Sequence, residues 1–142
     1  MAIPGRFVKF CVVGFSGVLV DMAVFWVLCE IARWPIAPAK CASTEAAILN
    51  NFLWNDLWTF ADLAAQEGGG RARLRRFFTF NAICGGGLIL SLLLLFAQIS
   101  VLGINRYVAN GVAILLVTGW NFGMNRAFSW GATPAPEVER SA

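Results

Sequence analysis

Four apolar spans dominate this chain, at about Phe10–Ile31, Ala37–Trp58, Phe77–Val101 and Tyr107–Phe128. Each is about 20 residues or longer, enough for a helix to cross the ~30 Å of hydrocarbon in a bilayer. In hydrocarbon every backbone polar group needs an internal partner, so apolar spans of this length fold as helices. The chain is 58% hydrophobic and 13% charged, with a mean hydropathy of +0.68. A soluble domain of 142 residues has too little interior to hide that much apolar surface. The first span is too long for a signal peptide and carries Asp21. It ends at Glu30-Ile31-Ala32-Arg33-Trp34-Pro35 instead of a small-residue cleavage site. The expectation is an all-α membrane protein with four transmembrane helices.

The chain also repeats itself at an interval of seventy. Asn51-Phe52-Leu53-Trp54-Asn55-Asp56-Leu57-Trp58-Thr59-Phe60 returns as Asn121-Phe122-Gly123-Met124-Asn125-Arg126-Ala127-Phe128-Ser129-Trp130. The same offset sets Phe7 against Phe77, Phe10 against Phe80, Gly17 against Gly87 and Asp21 against Ser91. A register held over separated stretches indicates two copies of one helical hairpin, residues 6–60 and 76–130. Pro35 and Pro38 mark the first turn, and Gly103-Ile104-Asn105-Arg106 the second. Residues 61–75 read as a flexible loop through Gly68-Gly69-Gly70, and residues 131–142 as a disordered tail.

Four spans return the chain to its starting side. Arg6, Lys9, Arg71, Arg73, Arg75, Arg76, Arg126 and Arg140 share that side, while Arg33, Lys40 and Arg106 lie on the other. Eight cations against three predict cytoplasmic termini and cytoplasmic motif copies. The two hairpins are then parallel repeats about an axis normal to the membrane. The net charge of +3 is concentrated at span ends, so lipid headgroups are the expected partner and nucleic acid is not.

Asn51 and Asn55 share a helix face, as do Asn121 and Asn125. These amides lie in the last turns before the cytoplasm. With Arg6, Lys9, Arg76 and Arg126 they form a candidate site for a lipid phosphate. The alternative is that the asparagines are interhelical hydrogen bonds and the cations topology signals. Trp54, Trp58, Phe60, Phe128 and Trp130 read as an interfacial aromatic belt. Gly14, Gly17, Gly85, Gly86, Gly87, Gly119 and Gly123 read as places of close helix approach.

Asp21 and Glu45 fall at similar depth inside the first and second spans, about 20 Å from the cytoplasmic ends. An acid inside hydrocarbon is a functional candidate. If the two meet, they share a proton. The alternative is that they serve as neutral hydrogen-bonding groups. The chain has no histidine, and Cys11, Cys29, Cys41 and Cys84 lack metal-ligand spacing. No metal, cofactor or catalytic residue is expected, and an enzyme is not the preferred class.

Arg6, Phe7, Phe10 and Gly14 spell R-F-x-x-F-x-x-x-G. Together with the two N-F-x-x-N copies and Asn125-Arg126 followed by Phe128 and Ser129, this pattern resembles the GtrA family of four-helix membrane proteins. A similar unit forms the membrane part of dolichol-phosphate mannose synthase-like enzymes. The resemblance covers about residues 6–130 and departs from it at Asp56, where the first copy lacks the arginine of the second. It implies translocation of a polyprenyl-phosphate-linked sugar across the bacterial cytoplasmic membrane for cell-surface polysaccharide or glycolipid synthesis. A non-transporting anchor for a glycosyltransferase partner is the alternative. A small proton-coupled exporter resting on Asp21 and Glu45 comes third. So small a bundle also suggests a homo-oligomer.

Overall fold

The structure is a computed structural model that describes residues 3–131. The described residues are helical and contain no strand. Helix α1 (Ile3–Trp26) and helix α2 (Ile36–Trp54) form one hairpin. After the short α3 (Ala61–Ala64), α4 (Gly70–Phe96) and α5 (Arg106–Met124) form the second. Three segments are long and apolar enough to cross a membrane: Ile3–Ile31, Gly70–Val101 and Arg106–Ser129. The α2 limb is comparable in length to the α5 limb but more polar, since it carries Lys40, Ser43, Thr44, Glu45, Asn50 and Asn51. Of the expected tail, residues 131–142, all but Gly131 lie outside the described residues.

The seventy-residue repeat reaches into the backbone. All four long helices end in a π turn, at Val27–Ile31, Asn55–Thr59, Ala97–Val101 and Asn125–Ser129. Phe60 N–H donates to Asn55 O at 2.8 Å, and Trp130 N–H to Asn125 O at 3.0 Å, each five residues back. The widened turn leaves a neighbouring carbonyl to be shared, and Asn55 Nδ2 donates to Asn51 O at 2.8 Å. The hairpin turns match as well: Arg33 (φ 58°) and Gly103 (φ 64°) hold equivalent left-handed positions. Glycine takes that conformation freely, whereas the arginine is strained there.

The helices begin earlier than the hydropathy suggests. α1 starts at Ile3 instead of near Phe10, and α4 at Gly70 instead of near Phe77. The loop over 61–75 is correspondingly shortened by α3 and by the first turns of α4. These turns are polar yet ordered, because they carry Arg6 and Arg76 into the bundle, where both are buried and paired.

The core is an aromatic plug at the end of the bundle that holds both motif copies. Phe60 and Trp130, at equivalent positions, stack on each other with centroids 4.6 Å apart. Around them the contacts occur in pairs. Phe7–Phe122 and Phe77–Phe52 are edge to face at 5.2 and 5.1 Å. Phe10–Phe122 and Phe80–Phe52 are 5.6 and 5.9 Å apart. Each pair joins one hairpin to the other, so the plug is the inter-repeat joint. Edge-to-face and offset ring pairs add to the gain from burial alone. Two members of the expected belt are therefore core residues: Phe60 is 0% and Trp130 2% exposed. Trp54, Trp58 and Phe128 do face outward. The π turn separates the two groups, since one added residue turns the next side chain inward.

Candidate functional site

The first asparagine of each motif copy is fitted by a glycine across the hairpin. A Cβ at Gly17 would come within 2.2 Å of Asn51 Oδ1, and one at Gly87 within 2.4 Å of Asn121 Oδ1. Gly14, Gly85, Gly86, Gly119 and Gly123 have open space where a Cβ would stand. Close approach is thus confined to two of the seven glycines. They are the two that the repeat aligns.

The second asparagines, Asn55 and Asn125, are buried at the plug. Asn125 Oδ1 accepts from Ser129 Oγ at 2.8 Å. Three polar atoms here are buried without a hydrogen-bond partner among the described residues: Asn55 Oδ1, Thr59 Oγ1 and Asn121 Oδ1. Beside them lies a cleft of about 520 Å³ bordered by all four long helices. Asn51, Asn55, Asn121 and Thr118 supply its polar atoms, and Phe7, Phe15, Val18, Ile114 and Leu115 its apolar walls. Unsatisfied amides beside an apolar cleft can receive the hydroxyls of a polar guest.

The expected cations do not form one cluster. Arg76 Nε donates to Asp56 Oδ1 at 2.8 Å and its Nη1 to Glu67 O at 3.0 Å. Asp56 also accepts from Arg73 Nε at 2.8 Å and Trp130 Nε1 at 3.0 Å. Arg76 is thereby held in a buried ion group with Asp56, at the edge of a separate cleft that Arg73, Gly68, Gly69 and Gly70 also line. Lys9 lies over the Trp58 ring at 4.9 Å, a cation–π contact beside the apolar surface. Arg6 and Arg126 remain. They line a single cleft of about 380 Å³ with Leu63 and Trp130, and Arg6 also pairs with Asp62.

Asp21 and Glu45 do not meet, so the proton-sharing pair of the sequence reading is corrected. Asp21 Oδ1 accepts from Ser43 Oγ at 2.7 Å, and its Oδ2 pairs with Lys40. Glu45 is exposed. The reason is helical phase. Ser43 is fully buried against α1, and two residues later the side chain has turned by about 200°. Repeat two has Ser91, Asn110 and Ala113 at the corresponding positions, so this cluster belongs to repeat one alone.

Sequence reasoning missed Asp56, Asp62 and Arg73 as members of the polar network. The signal for Asp56 was present, because an acid replaces the arginine of the second copy inside an otherwise shared motif. Its meaning depended on a partner in the other repeat.

Comparison with known proteins gives concordant results. A family model described as GtrA/DPMS, transmembrane domain, matches residues 9–130. The chain is 38% identical over 127 residues to a dolichol-phosphate mannosyltransferase of Pyrococcus furiosus, a match over 88% of this chain and 34% of that protein. It is 34% identical over 90 residues to the uncharacterised membrane protein YngA of Bacillus subtilis, over 62% of this chain and 56% of the relative. The chain thus spans about a third and about half of the lengths of these two relatives.

Proposed function

The chain belongs to the family of GtrA/DPMS transmembrane domains, and from that premise we propose that it carries a polyprenyl-phosphate-linked sugar from the cytoplasmic to the outer leaflet of the bacterial cytoplasmic membrane. The α2 limb crosses the membrane with the other three, shielded by its packing against α1. The bias of eight cations to three supports cytoplasmic termini. The lipid-phosphate site then lies on the cytoplasmic side, and the substrate enters there.

One observation carries this reading. The inter-repeat cleft joins apolar walls to a floor of asparagine amides, two of which keep an unpartnered carbonyl oxygen. Sugar hydroxyls lose several kcal/mol each when moved from water into hydrocarbon without partners. Amide acceptors lower that cost, and the apolar walls suit a prenyl chain. No catalytic step is assigned to this chain. Asp21, bound to Lys40 and Ser43, serves as a structural hydrogen-bonding acid.

A second reading is favoured by a different observation. The mannosyltransferase relative extends far beyond the shared region. A glycosyltransferase partner held by this chain as membrane anchor would play the part of that relative's region beyond the match. Proteoliposomes containing only this protein decide between the two. The probe is a short-chain polyprenyl-phosphate sugar whose accessibility in the outer leaflet is followed. The flippase reading expects transport that falls sharply in Asn121→Ala with helicity unchanged. No transport by folded, correctly oriented protein removes that reading and leaves the anchor.

A further inference from the structure

The seam between the repeats is built twice, with one exchange of charge. Arg76 of α4 meets Asp56 in the π turn after α2. At the equivalent positions Arg6 of α1 stands with Arg126 in the π turn after α5, around one cleft of about 380 Å³. A carboxylate thus answers the arginine in one copy, and a second arginine replaces it in the other.

Arg6 is 7% exposed, yet its Nε is buried without a hydrogen-bond partner. Buried charges are ordinarily paired and their N–H groups satisfied. The carboxylate that does reach Arg6, at Nη2, comes from Asp62, whose side chain is 53% exposed. Arg126 is exposed and has no acceptor among the described residues. The two guanidinium groups and Asp62 leave the cleft a net charge of one positive, or two when Asp62 turns out into water.

We propose that this cleft binds the phosphate of an anionic lipid, with Arg6 Nε and the Arg126 guanidinium as donors. Asp62 is an internal carboxylate that occupies Arg6 until the phosphate displaces it. Planar guanidinium groups match phosphate oxygens with two parallel donors, which single lysines do not. An exposed carboxylate returns to water cheaply, so displacement carries little penalty. The choice of a polyprenyl lipid rests on the function proposed above, whereas the anion site rests on the broken pairing alone.

The test uses the full chain in detergent, titrated separately with geranylgeranyl phosphate, phosphatidylglycerol and inorganic phosphate. Tryptophan fluorescence is the readout, since Trp130 lines the cleft. Arg126→Gln, which alters an exposed side chain, is expected to weaken geranylgeranyl phosphate binding at least tenfold, the loss of one charge-assisted contact. Asp62→Asn is expected to tighten binding severalfold, an outcome that a merely structural role for Asp62 would not produce. Arg71→Gln, at another exposed cation, leaves binding unchanged. Equal binding by Arg126→Gln and wild type, weaker binding by Asp62→Asn, or no binding of any phosphate probe to the folded chain overturns the site. If all three probes bind alike with the same mutant dependence, the anion site stands and the polyprenyl reading fails. Arg126-dependent binding without transport in proteoliposomes likewise keeps the site and removes the flippase.

Discussion

Replacing Asp56 by alanine tests the joint between the repeats directly. The carboxylate accepts from Arg76, Arg73 and Trp130 at 2.8, 2.8 and 3.0 Å. These three contacts differ in weight. The Arg73 side chain is 53% exposed and Arg76 only 4%, so the Arg73 pair is screened and contributes about 0–1 kcal/mol. Arg76 would be left as a buried charge without its counter-ion, which costs about 3–5 kcal/mol. The Trp130 hydrogen bond is worth about 1 kcal/mol, not fully additive with the rest. Asp56→Ala is therefore expected to lose about 3–5 kcal/mol, a large share of a typical total stability of roughly 5–15 kcal/mol. Arg73→Ala should lose less than about 1 kcal/mol. The double variant Asp56→Ala/Arg76→Met should recover most of the loss, because an apolar pair of similar volume is close to neutral against a buried ion pair. Unfolding in detergent, followed by circular dichroism and tryptophan fluorescence, supplies the three values. A loss under about 1 kcal/mol in Asp56→Ala, or a double variant as unstable as the sum of its parts, would refute the argument.

Gly17→Ala should destabilise by about 1–3 kcal/mol through overlap with Asn51, while Gly14→Ala, with open space at its Cβ, should be neutral or gain a few tenths of a kcal/mol; chemical unfolding of both separates packing from helix propensity. Gly103→Ala should cost about 1 kcal/mol because φ is 64° there, and Arg33→Gly should cost little or nothing at the matching turn; their melting temperatures provide the check. Trp130→Phe should keep the stack on Phe60 but lose about 1 kcal/mol with the bond to Asp56. The decisive comparison there is with Trp58→Phe, at a ring 41% exposed, which should leave the unfolding midpoint nearly unchanged.

The element plan was legible because its signals are local. Hydropathy and a seventy-residue register specify long helices in matched pairs, and the paired π turns and paired φ angles obey that register. The asparagines of each motif copy were also legible as sharing one helix face, since four-residue spacing fixes that whatever the face meets, but its inward direction came only from packing. The belt was misread at Phe60 and Trp130 because a single π turn shifts the phase of all that follows, and nothing in the hydropathy marks such a turn.

What the sequence by itself determined is the helical class, through the length and hydropathy of its spans, and the duplicated hairpin, through the seventy-residue register. The motif residues from Arg6 to Gly14 and the two N-F-x-x-N copies carried the family resemblance. What only the tertiary structure decided is pairing. Asp21 faces Lys40 and Ser43 instead of Glu45, Gly17 receives Asn51, and Arg76 is neutralised by Asp56 while Arg6 keeps an open donor. Each of these depends on which face of a distant helix arrives at a given depth. Burial is what turns that geometry into energy, because a charge or amide removed from water must find its partner within the bundle.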